Sequence, residues 1–539
     1  MSTSPPEDPQ HEAAERRTLV RSASLVGGLT LLSRITGLLR ESIQAAYLGT
    51  DAAADAFRVA FLLPNLLRRL VGEGAIQSAF VPVYTRSLAS GGPKEGRVFA
   101  EKFLLLWGAG AVVLTLLGIL LAGWVVALGF FDREALENAQ QVALATDLTR
   151  LLFWYLILIS MVAGIQGILN AHGCFGWPAF APVAFNLTFA GAAFLLADRL
   201  GPGREAFAMS WAVLASGVVQ LIVLVPPLWA LGVRPRLSNP LRHDGVREVM
   251  RLLMPGTVGA GIYQINVAVS TSIATSLGVG AASSLNYSNR LMEFVLGVFV
   301  FALSTVSLTS LSRYASAGDR SSFERTTAEV LRLAAFITLP SMVGLFVLRR
   351  PILSLLFESG RFDSASLDLT AAAFRFHVLG ILFVGWNRVL VACFHAHKDL
   401  RTPVVQGALN MVLHLTLCYV LARAMGHAGI AFASTLAAAA QTAVLFAIVL
   451  RRFQGLRFPG VLRVSTASAL ASLVMGGAVT RLWSLLDGAA GGSKAALAVH
   501  VGTAILCGVV VYFLAARVFG LKEAGALVSL FRRKRRPAD

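Results

Sequence analysis

The sequence predicts an all-α polytopic membrane protein with 14 transmembrane helices: two parallel six-helix lobes followed by two extra C-terminal helices. Three observations carry this prediction. Of 539 residues, 56% are hydrophobic and only 14% charged, with a mean hydropathy of +0.69, whereas a soluble domain carries about 25% charged residues. The apolar residues fall into blocks of about 20 or more, the length a helix needs to cross a roughly 30 Å hydrocarbon core. Short matches also recur at an offset near 225 residues, as a duplicated six-span unit would produce.

Taken in order, residues 1–20 mix acidic, basic and Pro residues without a cleavable apolar core, and read as a disordered cytoplasmic tail. Spans at 23–48, 55–88, 98–130, 142–171, 176–197 and 205–232 make an N-terminal lobe over 21–232. Spans at 249–277, 282–312, 327–348, 366–396, 403–424 and 428–450 make a C-terminal lobe over 233–453. The last two, 461–483 and 495–518, fall outside the repeat in a segment 454–518, and a basic cytoplasmic tail occupies 519–539. The repeat sets Ala171, His172 and Pro178 opposite Ala396, His397 and Pro403, with Asp147 and Asn65 echoed by Asp368 and Asn289. Transporters built this way place the substrate site at the interface of the repeats.

The formal charge of +18 is distributed as an orientation signal. Lys and Arg are about threefold more abundant in alternate connections and in both tails than in the opposite connections, so both termini read as cytoplasmic. The outer connection with Arg349, Arg350 and Arg361 runs against this assignment. A nucleic-acid partner is therefore not expected. The tail Arg532–Arg536 reads as a contact for anionic lipid headgroups. The four cysteines lie singly in apolar surroundings, and His395 and His397 lack nearby acidic or Cys partners, so neither disulfide nor metal site is expected. Gly491-Gly492-Ser493-Lys494 lacks the residues of a nucleotide loop, leaving no enzyme signature.

Arginines mark the candidate site. Arg34, Arg40, Arg58, Arg68, Arg69, Arg290, Arg375 and Arg388 lie inside spans, where each costs about 2.5–3.5 kcal/mol on insertion scales if it faces lipid. Such residues snorkel, pair or line a hydrated cavity. Arg34 and Glu41 share a face of span 1, with Arg40 about 120° away. Asn65 and Arg68 share a face of span 2, and Asn286, Arg290 and Glu293 form a stripe on span 8. We expect a central cationic cavity for a phosphate-bearing anion, because the guanidinium fork matches phosphate. Glu41, Asp55 and Glu293 would orient the arginines when the site is empty. The competing reading is buried ion pairs that only fix helix register, with Arg69 and Glu73 as a helix-face pair.

The run Ser33-Arg34-Ile-Thr-Gly37…Arg40, Asp55-Ala-Phe57, Leu63-Pro-Asn-Leu-Leu-Arg-Arg69, Glu73-Gly-Ala75 and Ala79-Phe-Val-Pro82 resembles the N-terminal signature of the MurJ (MviN) lipid II flippases, and Asn289–Phe294 resembles their span-8 motif. The similarity covers essentially the whole chain. It implies the MOP exporter fold, two six-helix lobes with alternating access. It also implies the essential arginines Arg34, Arg40, Arg68 and Arg290, with Asp55, Asn65 and Glu293 as polar partners. Glu41 stands where the family often has Asp, and Gln77-Ser78 reverses a more usual order.

The implied activity is movement of undecaprenyl-pyrophosphate-linked disaccharide-pentapeptide from the cytoplasmic to the periplasmic leaflet of the bacterial inner membrane, for peptidoglycan synthesis. The implied partners are that precursor, membrane lipids and cell-wall synthesis proteins; spans 13 and 14 would form a groove for the lipid tail. No cofactor is expected. The membrane potential has the correct sign to drive a negative headgroup outward, and the sequence leaves the coupling ion open. Alternatives are a flippase for another polyprenyl-linked glycan, a cation-coupled drug exporter, and a non-transporting scaffold that recruits cell-wall enzymes.

Overall fold

The computed structural model describes residues 9–69, 76–130, 139–236, 239–452, 458–486 and 493–525, and all regular structure among them is helical. In chain order the helices are α1 (Pro9–Leu48), α2 (Ala52–Arg68), α3 (Val81–Phe130), α4 (Ala139–Ala171), α5 (Gly176–Leu200), α6 (Glu205–Ala230), α7 (Asp244–Thr275) and α8 (Ala281–Ala317). They continue as α9 (Arg320–Val347), α10 (Arg349–Phe357), α11 (Ser364–Leu379), α12 (Ile381–Ala396), α13 (Arg401–Met425), α14 (His427–Arg452), α15 (Val461–Leu486) and α16 (Lys494–Val518). Among the described residues, 9 helices are long and apolar enough to cross a membrane, and up to 10 if the bent pair α11 and α12 is one span. The helices α1, α2, α7 and α8 are not among them, and three of these carry the predicted site residues. Glu73 and Arg532–Arg536 lie outside the described residues.

Four sequence expectations are corrected in detail. Residues 9–20, expected to be a disordered tail, are helical and continuous with α1, because His11-Glu-Ala-Ala-Glu-Arg-Arg17 is rich in helix formers and the span supplies the nucleus. Span 2, expected over 55–88, is described as α2 to Arg68 and as a π-helical turn Ile76–Phe80 that passes directly into α3 at Val81, with residues 70–75 outside the described residues. The connection to span 3 is a kink inside α3, with Gly92 at φ 69° before Pro93. Span 10 breaks at Gly380 with a 42° bend. The connection before it carries α10, where Arg349 donates to the Phe346 carbonyl at 2.8 Å and the other two arginines meet acids. Arg350 pairs with Asp368 at 2.5 Å and Arg361 with Asp51 at 3.3 Å.

Two compact units follow from the packing: Met1–Leu48 with Ala52–Ala268, and Gly49–Asp51 with Val269–Asp539. The division falls inside α7, later than the 232/233 boundary drawn from the sequence, because Val246, Val249 and Leu253 are buried in the first core. That core is built on stacked rings: Phe80 lies 4.1 Å from Phe103 and 5.0 Å from Tyr84. The Trp107 indole donates to the Ser160 carbonyl at 2.9 Å, tying α3 to α4. In the second unit Trp386 donates to Leu331 O at 3.1 Å, and Tyr512 of α16 donates to Phe336 O of α9 at 2.7 Å. Helices α15 and α16 thus pack on α9 through Met475, Val479 and Tyr512.

Side-chain caps set several starts. Asp319 accepts from Ser322 N ahead of α9, Asp363 from Ser366 N ahead of α11, and Ser493 from Ala496 N ahead of α16, each replacing an intrahelical partner that the first turn lacks. Asp399 accepts from the Thr402 hydroxyl and from the amides of Thr402 and Arg401 before α13. These bonds hold its carboxyl below the usual range.

Candidate functional site

In the first unit the polar stretch Ser33–Glu41 is fixed in α1 by α5. Asn186 donates its amide to Ser33 O at 3.1 Å and to Thr36 Oγ1 at 3.3 Å. Its neighbour Phe185 lies under Arg40, with the guanidinium carbon 5.8 Å from the ring centroid, within cation–π range. Arg40 donates to Glu41 Oε1 at 2.6 Å, and Glu41 is nearly buried, with a side chain only 7% exposed. The helical wheel placed Arg40 and Glu41 on different faces, yet long side chains on adjacent residues close the pair. Arg34 is half-buried on the same helix.

Helix α2 starts with Asp55 in its first turn, 1% exposed, where a carboxylate meets the positive end of the helix dipole. Two turns beyond the buried Phe57, Asn65 donates to Phe61 O at 2.8 Å. Its carbonyl oxygen accepts from Arg68 Nε at 3.2 Å. Asn65 therefore steers Arg68 without neutralising it. Arg69 lies over Tyr263, 6.0 Å from the centroid.

The second unit carries its own constellation on α8. Arg290 donates to Glu293 Oε2 at 3.2 Å and Asn289 donates to Oε1 at 3.3 Å, so both carboxylate oxygens are engaged. The pair is half-open, with side chains 30% and 39% exposed. Asn286, on the predicted stripe, is buried. Outside this group, Arg375 stacks 4.7 Å from the Phe376 ring.

Within each unit, the structure brings together two of the groupings the spacing made, Asn65 with Arg68 and Arg290 with Glu293, and it pairs Glu41 with Arg40, which the spacing had set on another face. Sequence reasoning missed Phe185 and Asn186, because one amide within an apolar span carries no local signal; only the α1–α5 contact reveals its role. Chemically, these arginines offer forked, permanently charged donors held by short-range acids and amides, an arrangement suited to an anion with several oxygens. Among the described residues, no group of three His, Cys, Asp or Glu is placed to hold a metal ion.

Comparison with known proteins gives a consistent result. The family model described as lipid II flippase MurJ matches residues 44–521. The lipid II flippase MurJ of Burkholderia cenocepacia is 34% identical over 464 residues, covering 85% of this chain and 89% of that protein. A probable lipid II flippase MurJ of Bdellovibrio bacteriovorus is 32% identical over 535 residues, covering 98% and 100%. Among solved structures, a lipid II flippase MurJ in an inward closed conformation superposes with a TM-score of 0.75 at 24% identity, over 92% of this chain and 98% of that one. An inward-facing multidrug resistance MATE transporter of the MOP superfamily gives 0.67 at 15% identity, over 80% and 98%. These likenesses show a polytopic all-α fold of the MOP type.

Proposed function

The chain belongs to the MurJ family of lipid II flippases, and from that membership we propose how its residues move the lipid. The substrate is undecaprenyl-pyrophosphate-linked disaccharide-pentapeptide, carried from the cytoplasmic to the periplasmic leaflet of a bacterial inner membrane with both termini cytoplasmic. Such a headgroup cannot cross hydrocarbon without a heavy desolvation cost. Arg34, Arg40, Arg68 and Arg290 replace its water with forked donors in a cationic cavity, and alternating access carries it outward. Asp55, Asn65, Glu41 and Glu293 keep those donors oriented between substrates. The α15–α16 pair, packed on α9, forms the groove for the polyprenyl tail.

The membrane potential supplies drive. Moving one negative charge outward across an inside-negative membrane gains about 2.3 kcal/mol per 100 mV. Cell-wall synthesis proteins are the natural partners at the point of delivery.

The observation that supports this reading most is the family match over residues 44–521, a stretch that includes Arg68 and Arg290, while Arg34 and Arg40 lie just before it. Complementation of a flippase-depleted bacterium tests it, using the wild-type chain and Ala variants at Arg34, Arg40, Arg68 and Arg290, with membrane levels checked by blot. Rescue by wild type and failure of well-inserted variants is the expected result. Rescue by all variants makes the arginines structural and overturns the mechanism.

A further inference from the structure

Away from the arginines used above, the second unit gathers three more at one end. Arg349 and Arg350 open α10, and Arg375 lies on α11. Arg350 reaches Asp368 of α11 at 2.5 Å, which seats the start of α10 on that helix. Asp368 and Arg375 are seven residues apart, so they share a face of α11, about 10.5 Å apart along its axis. Arg349, half-buried, donates to the Phe346 carbonyl at 2.8 Å and lies over the Phe346 ring, 5.1 Å from its centroid. Arg375 is exposed and lies over Phe376 at 4.7 Å. Three cations thus share one carboxylate. Among the described residues, neither Arg349 nor Arg375 has an acid within ion-pair distance. Glu358, at the far end of α10, takes the Ser354 hydroxyl, and Arg361 beyond it pairs with Asp51.

We propose that Arg349, Arg350 and Arg375 form a second anion site, which takes the pyrophosphate of the polyprenyl-linked glycan as it leaves the protein; this rests on the flippase reading above. Guanidinium forks suit phosphate oxygens, which they meet two at a time. Asp368 neutralises one of the three charges, which leaves two for a ligand with two phosphates. Partial burial and the like charges of Arg375 and Arg350 hold the Arg349 guanidinium, in the connection before α11, below its ordinary pKa range. An arginine nevertheless keeps its proton, so this repulsion persists until an anion relieves it.

Position decides which phosphates arrive here. The other half of α9 is tied to the C-terminal segment, where Arg332 meets Glu523 at 3.2 Å and donates to the Pro459 carbonyl at 3.0 Å. From Arg332 to Val347 the helix rises about 22 Å, so Arg349 lies at the end remote from the C-terminus. With that terminus cytoplasmic, the group faces the outer leaflet. Helix α15 runs beside the same end of α9: a Cβ at Gly476 would stand 2.7 Å from Val343 Cγ1 and 3.8 Å from Val347 Cγ2. Ile352 of α10 packs on the core that Leu348, Met475 and Tyr512 share. Helix α10 therefore borders the α15–α16 pair assigned above to the polyprenyl tail. In such a lipid the pyrophosphate joins tail to sugar, so a tail lying on that pair brings both phosphates to the polar edge at α10. Phe346, 39% exposed, supports Arg349 at that edge.

The test uses the full chain in phosphatidylcholine nanodiscs, with radiolabelled lipid II carrying a photoreactive group in the first isoprene of its tail as probe. Irradiation should label residues 346–357. Arg349→Gln combined with Arg375→Gln should cut that label at least about tenfold. In proteoliposomes the same variant should lower maximal flipping about threefold, as a slowed release step would, with the apparent Kd for loading unchanged. Asp368→Asn removes the acid that competes for Arg350 and should raise the label about twofold, an increase that misfolding does not give. Absence of label at 346–357 in the wild type, label or flipping indifferent to the arginine variant, or a decrease in Asp368→Asn overturns the proposal. Label erased when about one-fifth of the disc lipid is phosphatidylglycerol assigns the site to anionic phospholipid, and overturns it too. A wild type that flips nothing, yet labels 346–357 in an arginine-dependent way, overturns the flippase reading and leaves the anion site standing.

Discussion

Two acid–arginine pairs, one in each unit, use the same chemistry in opposite ways. Arg40 and Glu41 in the first unit meet at 2.6 Å with side chains 18% and 7% exposed; Arg290 and Glu293 in the second meet at 3.2 Å with side chains 30% and 39% exposed. A desolvated pair is costly to break, since removing one partner strands a charge, whereas a half-solvated pair three apart on one helix contributes little. The first pair is therefore a fixed part of the α1–α5 contact, and in the proposed mechanism the second exchanges its carboxylate for an incoming phosphate. The largest effect predicted from this difference is that Glu41→Ala lowers stability by about 3 kcal/mol, read as loss of cooperative unfolding temperature in detergent. A loss within about 0.5 kcal/mol would make the two pairs equivalent and break the comparison.

The same contrast of equal plan and unequal residues appears in the turns after α4 and α12. Gly173 has φ 74° and Lys398 φ 59°, and these positions are 225 residues apart, the offset of the sequence repeat. Each chain reverses through a left-handed residue just after a histidine, His172 or His397. A Cβ at Gly173 would meet nothing within 4 Å, so the cost of Gly173→Ala is purely conformational, about 1–2 kcal/mol. Lys398→Gly should recover up to about 1 kcal/mol. Thermal unfolding of the two variants with opposite signs would establish that the repeat preserves backbone geometry and lets residue identity drift. Equal signs would sever the two turns.

A smaller effect separates the histidines before those turns. His172 lies 3.0 Å from the Tyr84 hydroxyl, and partial burial lowers its pKa below the ordinary 6.5. The folded chain thus binds this proton less readily than the unfolded chain. The contribution is fully present above the ordinary His range and is lost as pH falls below it. His172→Gln should therefore reduce the drop in unfolding temperature between about pH 7 and pH 5. An unchanged drop would remove His172 from the account.

Much of this was legible in the chain because charge inside an apolar block is conspicuous. Arg34, Arg40, Arg68 and Arg290 stand out one residue at a time, and Asn65 beside Arg68 and Glu293 beside Arg290 follow from helical spacing. What was not legible depends on a neighbour distant in sequence. Asn186 looks like any amide until α1 lies against it, and Gly380 looks like any membrane-helix glycine until Thr435 approaches it. The short helix α10 was hidden for a related reason. Arg349-Arg350-Pro351 reads as a loop, and its charge makes sense only beside Asp368. The helix through residues 9–20 was missed because composition was weighed for burial, while α1 needs only propensity to extend.

The smallest predicted change in stability is at Glu293, and it bears most directly on the exchange idea. Glu293→Ala removes one acceptor from Arg290 and one from Asn289, both partly solvated. Stability should move by no more than about 0.5 kcal/mol. Transport should respond more, because Arg290 then lacks the carboxylate that competes with the headgroup for its donors. Binding of the pyrophosphate tightens while release slows, so the variant should show a lower apparent Kd together with a lower maximal flipping rate. Should the apparent Kd rise instead, Glu293 orients Arg290 for the substrate rather than competing with it, and both pairs would then be fixed scaffolds differing only in exposure.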